Sequence, residues 1–318
     1  MLKTRVGVVR GGPSNEYEVS LKTGAHILNA LSKEKYQVRD ILIDRAGGWY
    51  VDGREIQIGK LPAIIDVAVN ALHGEYGEDG GFQRDLDRIG LPYTGSGAFG
   101  SSAATNKLFA KNLFVENNIN TPEVCIIEPE EDPSARAYEL FRNFMPPYVV
   151  KPVSSGSSVG VFIVRTKDDL QSAITNAREF SDIVLVEEYI KGREITCGVI
   201  DGENATHALH PVEIIIPDDY TFFDYDFKYS GKAEEICPAH ITPEKEREIQ
   251  KMAVTAHNAL GLQHYSRSDF IISSRGIFLL ETNSLPGMTA ESLFPKELKA
   301  ADMEVGEFLD HVIELAMR

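Results

Sequence analysis

The amino-acid sequence predicts a parallel α/β domain at the N-terminus, followed by an α+β region. Two observations support this division. Nearly unbroken apolar strands alternate with helices in residues 1–103, which is typical of a parallel sheet covered by helices on both faces. From Tyr148 onward, strands follow one another at hairpin-like spacing, which favours an antiparallel sheet. Between the two regions, the proline of Asn-Thr-Pro at residues 120–122 ends a helix.

The N-terminal elements follow from short apolar runs separated by turns. The strand Thr4–Arg10 leads into a Gly-Gly-Pro-Ser turn, after which apolar residues recur at helical spacing up to Leu31. The same alternation predicts strands at Gln37–Ile43 and Ile64–Leu72, then helices at Gly81–Ile89 and Asn106–Glu116 and a strand at Glu123–Ile127.

The remaining elements are mostly strands. They are predicted at Tyr148–Lys151, Val159–Val164, Ile183–Glu187, Glu194–Ile200, His207–Ile216, Tyr265–Ile272 and Ile277–Thr282. Helices are predicted at Lys167–Glu179, Pro243–Leu260 and Val305–Met317. The long aperiodic segment Pro217–Pro238 carries five aromatic residues, and such a segment in an enzyme is usually a lid or a binding loop.

The composition is that of a folded protein with an acidic surface. The chain has 318 residues, 43% of them hydrophobic, and 32 basic against 48 acidic side chains give a net charge of −16. This charge disfavours nucleic acid as a partner, although a local basic cleft can still bind an anion. No apolar run approaches the roughly 20 residues that cross a bilayer, and no signal peptide is evident, so we expect a cytoplasmic protein without a membrane partner. Cys125, Cys197 and Cys237 lie far apart and are expected to be buried small residues.

A pair of strands near the C-terminus carries oxygen ligands. Arg267 and Asp269 lie on one strand, and Glu281 and Asn283 lie on the next, beyond the turn Ser273–Gly276. Side chains alternate along a strand, so a hairpin would bring Asp269, Glu281 and Asn283 together as the hard-oxygen site that Mg²⁺ prefers. Magnesium with a nucleotide is one interpretation, and a polar hairpin face exposed to water is the other.

Three turns carry further candidate residues. The Gly- and Ser-rich segment Lys151–Val161 offers backbone N–H groups and hydroxyls, including that of Ser158, to phosphate oxygens. It lacks the Walker A order of residues, and a flexible hairpin is the alternative interpretation. Glu16 and His73 follow two parallel strands, at the edge where open α/β sheets bind ligands.

Taken in order, six segments resemble the D-alanine-D-alanine ligases of the ATP-grasp superfamily: GGPSNEYEVSLKTG, NALHGEYGEDGGFQ, LPYTGSG, KPVSSGSSVGV, VEEYIKGREIT and ETNSLPGMTAESLFP. The resemblance spans nearly the whole chain. It implies a preATP-grasp domain at residues 1–103 and an ATP-grasp fold of two α+β lobes, at residues 104–190 and 191–318. A homodimer is also implied.

The resemblance assigns residues to ATP and to metal. The ATP phosphates would be held by Lys107 and Lys151, with Lys228 reaching the γ-phosphate from the lid. The adenine and ribose segment would be Glu187, Glu188, Tyr189, Ile190 and Glu194. Two magnesium ions, or manganese in their place, would be bound by Asp269, Glu281 and Asn283.

The resemblance also implies the reaction. One D-alanine carboxylate attacks ATP to give an acyl phosphate, which the amine of a second D-alanine displaces, and the product serves peptidoglycan precursor synthesis. Arg267 and the Gly287 backbone would face the developing oxyanion, and Ser292 would hold the acceptor carboxylate. A hydrogen-bonded triad of Glu16, Ser157 and Tyr229 would link substrate and lid, with His73 nearby in the substrate site.

The sequence departs from the family pattern at three positions and leaves other functions open. Arg84 stands where glycine is usual, Asn106 where aspartate is usual, and Tyr17 where arginine is common. D-alanine-D-lactate and D-alanine-D-serine ligases share the scaffold. Tyr229 favours D-alanyl-D-alanine as the product over the products of those ligases. A non-catalytic ATP-grasp nucleotide-binding protein is the other alternative, but it would be expected to lose metal ligands or Arg267.

Overall fold

The N-terminal sheet has five strands in the computed structural model, which describes residues 3–154, 156, 159–215 and 234–318. They are Thr4–Gly11 (β1), Tyr36–Ile43 (β2), Trp49–Val51 (β3), Arg54–Ile56 (β4) and Val67–Asn70 (β5), in spatial order β4-β3-β2-β1-β5. β1 pairs in parallel with β2 and β5, as predicted. The prediction of a purely parallel sheet is wrong at the β3-β4 edge, which is antiparallel. The chain turns back there because Asp52 and Gly53 adopt φ angles of 47° and 81°.

The N-terminal helices differ from the prediction at two places. Helix α1 is Tyr17–Ala30, and helix α2 is Gly81–Ile89, as predicted. The predicted strand from Ile64 begins only at Val67, since a 3₁₀ helix, Ile58–Ala63, precedes it. Ala98–Thr105 (α3) was not predicted, because its glycine and serine residues have low helix propensity. It packs closely on the following region, and a methyl group on Gly100 would lie 2.6 Å from the Gly261 carbonyl oxygen.

The central region is an antiparallel sheet covered by helices. Helix α4, Lys107–Glu116, leads into the strands Val124–Ile127 (β6), Tyr148–Pro152 (β7), Phe162–Val164 (β8) and Val184–Glu188 (β9), in spatial order β6-β9-β7-β8. Every pairing in this sheet is antiparallel, as predicted. Helix α6, Lys167–Ala177, was expected, whereas Pro133–Asn143 (α5) was not. Pro133 is tolerated because it lies in the first turn, and the Asp132 side chain caps that turn.

The C-terminal sheet carries the predicted hairpin. Its strands are Arg193–Asp201 (β10), Thr206–Ala208 (β11), Val212–Ile215 (β12), Glu234–Ile236 (β13), Tyr265–Ser273 (β14) and Gly276–Asn283 (β15). The predicted strand His207–Ile216 is interrupted at Pro211, which has no N–H for the ladder. The prediction that Pro217–Pro238 is aperiodic throughout is wrong at the end of the segment, because β13 is a strand that pairs with β12. Its residues 217–233 lie outside the described residues.

The C-terminal helices join the first sheet to the last. They are Pro243–Ala259 (α7), Leu293–Ala300 (α8) and Val305–Ala316 (α9). Val6 of β1 and Val69 of β5 share one core with Phe294 and Phe308 of α8 and α9. The edge of the N-terminal sheet is therefore fixed relative to the β14-β15 hairpin. The domain limits 1–103, 104–190 and 191–318 remain predictions.

The structure also bears on two predictions made from the sequence, the lack of a membrane-spanning segment and the burial of the cysteines. No helix among the described residues is both long and apolar enough to span a membrane. Cys197 is fully buried, as predicted, but that prediction is wrong for Cys125 and Cys237, which are only partly buried. Cys125 lies on the edge strand β6, and Cys237 follows the edge strand β13, so neither is covered from both sides.

Candidate active site

A cavity of about 790 Å³ lies where the three regions of the chain meet. Every predicted site residue that the structure describes lines it: Glu16, His73, Lys107, Lys151, Glu187, Glu188, Tyr189, Ile190, Glu194, Arg267, Asp269, Glu281, Asn283, Gly287 and Ser292. The other four predicted residues, Ser157, Ser158, Lys228 and Tyr229, lie outside the described residues. Side chains that are far apart in sequence thus face one space.

The β14-β15 hairpin has the register that the spacing predicted. Asp269 pairs with Glu281, Arg267 pairs with Asn283, and a bulge follows Asp269. Arg267 donates two hydrogen bonds of 2.9 Å from Nε and Nη2 to the Asp269 carboxylate, and Asn283 Nδ2 donates to Asp269 Oδ2 at 3.1 Å. This polar face lines the cavity. The hairpin face therefore belongs to a cavity rather than to the convex surface, and metal binding by it remains a prediction.

The donor set on the hairpin suits magnesium. It has two carboxylates and one amide oxygen. Because one of its three members is an amide, it is not a group of three or more His, Cys, Asp or Glu side chains, and the described part of the chain contains no such group that could hold a metal ion. Mg²⁺ usually takes one or two protein carboxylates and completes its octahedron with water and substrate phosphates. Lys107 Nζ lies 3.6 Å from Glu281 Oε2, so a basic group already faces these carboxylates.

Two lysines hold one buried carboxylate at the central end of the cavity. Lys151 Nζ lies 2.9 Å from Glu187 Oε2, and Lys111 Nζ lies 3.1 Å from Glu187 Oε1. The attraction of both cations outweighs burial and holds the pKa of Glu187 below its usual value. Lys111 was missed by sequence reasoning. Its spacing of four from Lys107 puts the two lysines on adjoining turns of α4, which is the signal that could have found it.

The end of β9 and the start of β10 supply two further carboxylates of different character. The Glu188 carboxylate accepts hydrogen bonds from the Glu123 N–H and from Arg275 Nη2, so both of its oxygens contact protein groups. Burial, with a smaller contribution from the charge of Asp269, raises the pKa of Glu194 to about 7. Glu194 is therefore partly protonated near neutral pH, and its pKa responds to any cation bound beside it.

The edge of the N-terminal sheet forms the opposite end of the cavity. His73 is buried, with Nε2 2.9 Å from Thr23 Oγ1 and Nδ1 3.3 Å from Glu78 Oε1, so both ring nitrogens have partners. A methyl group on Gly156 would lie 3.4 Å from Glu16 Oε1, which shows how closely the Gly- and Ser-rich loop approaches this edge. Gly156 and Glu16 are therefore close together, and the hydrogen-bonded triad of Glu16, Ser157 and Tyr229 remains a prediction.

The turn before α8 forms a small polar corner. Ser292 Oγ accepts a hydrogen bond of 3.0 Å from the Thr289 N–H and lies 2.8 Å from Thr289 Oγ1. A methyl group on Gly287 would lie 2.9 Å from Ser292 Oγ, so this position requires glycine. Ser292 is also the N-cap residue of α8, and backbone N–H groups at the start of a helix favour an anion such as a carboxylate.

Comparison with known proteins identifies the family. The family model for the D-ala D-ala ligase N-terminus matches residues 5–62, and that for the D-ala D-ala ligase C-terminus matches residues 113–314. A D-alanine-D-alanine ligase of Syntrophobacter fumaroxidans is 40% identical over 319 residues, which cover 99% of this chain and 98% of that protein. The chain belongs to the D-alanine-D-alanine ligase family.

Solved structures of D-alanine-D-alanine ligases and a close variant share the fold. The Bacillus anthracis ligase in complex with ATP is 32% identical, covers 99% of this chain and 98% of its own, and superposes with a TM-score of 0.82. A D-Ala:D-Ser ligase from Enterococcus faecalis is 29% identical, with coverage of 99% and 100% and a TM-score of 0.86. The ATP-grasp fold expected from the sequence is thereby confirmed.

The three departures from the D-alanine-D-alanine ligase pattern have local roles. Asn106 caps α4, since its side chain accepts a hydrogen bond of 3.0 Å from the Phe109 N–H. The Tyr17 ring lies under the Arg45 guanidinium, 4.3 Å from its centroid, in a cation–π contact. Arg84 packs over Gly80, where a methyl group would lie 2.9 Å from Arg84 Nη1. None of these contacts displaces a residue that lines the cavity.

Proposed function

We propose that this protein joins two D-alanine molecules into D-alanyl-D-alanine, with conversion of ATP to ADP and phosphate, for peptidoglycan precursor synthesis. The observation that carries this proposal is that one cavity is lined by the lysines, the hairpin carboxylates, Arg267 and the sheet-edge residues at once. Family membership makes the protein an ATP-dependent ligase.

The first step transfers a phosphoryl group. A carboxylate oxygen of the donor D-alanine attacks the γ-phosphorus, and the bond from that phosphorus to the bridging oxygen breaks, so ADP leaves. Lys107 and Lys151 would lie along the phosphates and offset their charge. Asp269, Glu281 and Asn283 would hold two Mg²⁺ ions, or Mn²⁺ in their place, which neutralise charge on the transferred phosphoryl group.

The second step forms the peptide bond. The uncharged amine of the acceptor attacks the acyl carbon, the carbon–oxygen bond to phosphate breaks, and inorganic phosphate leaves with the electron pair and takes up the proton that the nitrogen loses. Arg267 and the Gly287 N–H would stabilise the oxyanion of the tetrahedral intermediate, because both face the cavity beside the hairpin. Ser292 would orient the acceptor carboxylate, while Glu16 and His73 at the sheet edge would contact the donor.

A D-alanine-D-serine ligase is the second candidate. It is supported by the likeness to the Enterococcus faecalis D-Ala:D-Ser ligase, which has the same fold at nearly full coverage. The two activities differ only in the acceptor, so a few residues around the acceptor decide between them. Tyr229 favours the dipeptide of two alanines in this proposal.

The assembly and location are proposed on the family likeness and on the substrates. We infer a homodimer, because the family resemblance implies one. We infer a cytoplasmic location because the reaction consumes ATP. Gel filtration with light scattering and cell fractionation would check the two inferences separately.

The deciding experiment measures phosphate release from ATP with D-alanine, D-serine or D-lactate offered in turn and with Mg²⁺ present. Mass spectrometry identifies the product. We expect D-alanine alone to support turnover and to give D-alanyl-D-alanine. Turnover that needs D-serine or D-lactate in addition would favour the alternative ligases, and ATP binding without phosphate release would favour a non-catalytic nucleotide-binding protein.

A further inference from the structure

The carboxylate of Glu187 is buried between two lysines that differ in their access to the cavity. Lys151 lines the cavity, whereas Lys111 is only 2% exposed and lies behind Glu187. Lys111 Nζ also donates to Thr121 Oγ1 at 2.7 Å and to the Pro122 carbonyl oxygen at 3.0 Å. The Lys111 ammonium is thus held by two hydrogen bonds and by the ion pair with Glu187. Its ammonium is fixed in place before any ligand binds.

The charges of this cluster do not balance within the protein. Two ammonium groups face one carboxylate, which leaves a net charge of about +1 on three side chains that are between 2% and 8% exposed. An excess buried charge is costly unless a partner neutralises it. Lys151 is the member that can reach such a partner, because it alone of the two lines the cavity. An anionic ligand in the cavity would complete the pairing.

We propose that Lys111 is a positioning residue for nucleotide binding, which keeps Glu187 ionised and in place while Lys151 directs its charge to an ATP phosphate. The inference rests on the proposed function, since it takes ATP as the ligand. Without Lys111, Lys151 would be the only cation paired with Glu187 among the described residues, and its attraction to the phosphate would compete with that pairing. Lys111 thus acts through Glu187 and contacts no substrate.

The protonation of Lys111 gives this role a measurable effect, an uptake of protons when ATP binds. Burial, opposed by the charges of Glu187 and Glu188 and assisted by that of Lys151, lowers the pKa of Lys111 to about 8. A bound phosphate adds negative charge to the cluster and favours the protonated ammonium. ATP binding should therefore take up protons at about pH 8.5, where the free enzyme has lost part of the Lys111 charge.

The experiment compares the parent protein with Lys111→Met, Lys111→Arg and Lys299→Met by calorimetric titration of ATP without D-alanine. Lys299 is an exposed lysine on α8 and serves as the matched control. We expect Lys111→Met to weaken ATP binding by at least about 10-fold, with KM for ATP affected more than kcat, because the buried Glu187 carboxylate loses one of its two ion-pair partners. Lys111→Arg should bind ATP better than Lys111→Met, since it retains the charge, and Lys299→Met should match the parent.

Proton uptake is measured from the dependence of the binding heat on the ionisation enthalpy of the buffer at pH 8.5. The parent should take up protons, and Lys111→Arg should not, since a guanidinium stays charged at this pH. Parent-like ATP affinity in Lys111→Met would overturn the inference, as would binding by the parent without proton uptake. The parent measurement decides the matter even if a variant fails to fold. A parent that binds no ATP would overturn the proposed function together with this inference.

Discussion

Glu297 is a buried acid next to the active site. Its side chain is fully buried, its Oε1 accepts a hydrogen bond of 3.0 Å from the Gly198 N–H, and its Oε2 has no hydrogen-bond partner among the described residues. Burial raises the pKa of Glu297 well above its usual value, although the charge of Arg267 opposes this shift. The carboxyl group also occupies the space that a side chain on Gly198 would need, opposite Arg267 in the sheet. A neutral acid thus fills the gap behind the arginine.

Replacement of Glu297 by glutamine should stabilise the protein at high pH. The folded state keeps a proton on Glu297 that the unfolded state loses above about pH 4.5, so the free energy of unfolding falls as the pH rises. Glutamine retains the acceptor for Gly198 and does not titrate. Urea unfolding at pH 5 and pH 8 should show Glu297→Gln gaining on the parent at the higher pH. Glu297→Ala should lose about 2 to 3 kcal/mol at pH 5, because it leaves a cavity and an unpaired N–H, and less than that at pH 8, because alanine does not titrate either.

A constant difference between Glu297→Gln and the parent at the two pH values would mean that the carboxyl group is ionised in the folded protein. The position of Arg267 would then depend on a buried ion pair.

Glu281 is the hairpin carboxylate on which the metal proposal depends most. It pairs with Asp269 across the hairpin and faces Lys107. We expect Glu281→Gln to lower turnover by at least about 100-fold, which corresponds to a loss of about 3 kcal/mol of transition-state stabilisation. Phosphate release over a range of Mg²⁺ and Mn²⁺ concentrations is the measurement, with the exposed Glu116→Gln as control. Near-parent turnover would contradict the assignment of Glu281 to the metal.

Helix α4 carries two lysines that reach different parts of the site, and it begins at an asparagine cap. Lys107 and Lys111 lie one turn apart, so the first reaches the hairpin and the second reaches β9. Asn106 fixes the start of this helix through its hydrogen bond to the Phe109 N–H. The cap therefore sets the positions of both lysines, although Asn106 itself was read only as a departure from the family pattern.

Changes of the α4 cap should alter stability in opposite directions. Asn106→Ala should cost about 1 kcal/mol, since it removes the acceptor for an orphan N–H. Asn106→Asp should retain the hydrogen bond and gain about 0.3 to 1 kcal/mol from its charge at the helix N-terminus. Thermal and urea unfolding at pH 7 and low salt check both values. A loss of stability in Asn106→Asp would indicate that the charge is repelled by carboxylates nearby.

The elements that sequence reasoning predicted well are those with a strong local pattern. The helix Gly81–Ile89 and the pairing of Asp269 with Glu281 are predicted correctly, because each has clear periodicity between evident turns. Helix α3 was missed because tertiary packing stabilises a sequence with low helix propensity. The role of Lys111 was missed because the sequence does not reveal that a helical lysine reaches a carboxylate on a distant strand.

Asp201 connects three parts of the molecule. Its Oδ2 accepts a hydrogen bond of 2.6 Å from the His264 N–H, its backbone carbonyl oxygen lies 2.6 Å from His311 Nε2, and its Oδ1 lies 3.3 Å from His257 Nε2. His264 Nδ1 in turn accepts a hydrogen bond of 3.0 Å from the Gly95 N–H of the N-terminal region. This network joins the first and last parts of the chain away from the cavity.

The network should make the fold sensitive to mild acid. Burial lowers the pKa of His264 to about 4, so the unfolded state binds a proton between about pH 6.5 and 4 that the folded state excludes. The free energy of unfolding should therefore fall as the pH drops through this window, by up to about 3 kcal/mol. The pKa of Asp201 is lowered to about 2, so its contribution is lost only at lower pH.

Urea unfolding at several pH values between 7 and 4 tests this, with His264→Asn as the comparison. Asparagine tolerates the φ angle of 65° at this position, and its amide oxygen can accept the Gly95 hydrogen bond. The variant should show a shallower loss of stability in acid. An identical slope in both proteins would assign the acid sensitivity to other groups.

The cavity is continuous from His73 at the edge of the N-terminal sheet to Glu187 in the central sheet. Small fragments bound at its two ends would therefore share one space, which no described residue divides. If a short linker joined a carboxylate-bearing fragment to a purine-bearing fragment, binding of the first would hold the second at millimolar effective concentration. The affinity of the joined molecule could then exceed that of either fragment by about 10²- to 10⁴-fold without any new contact.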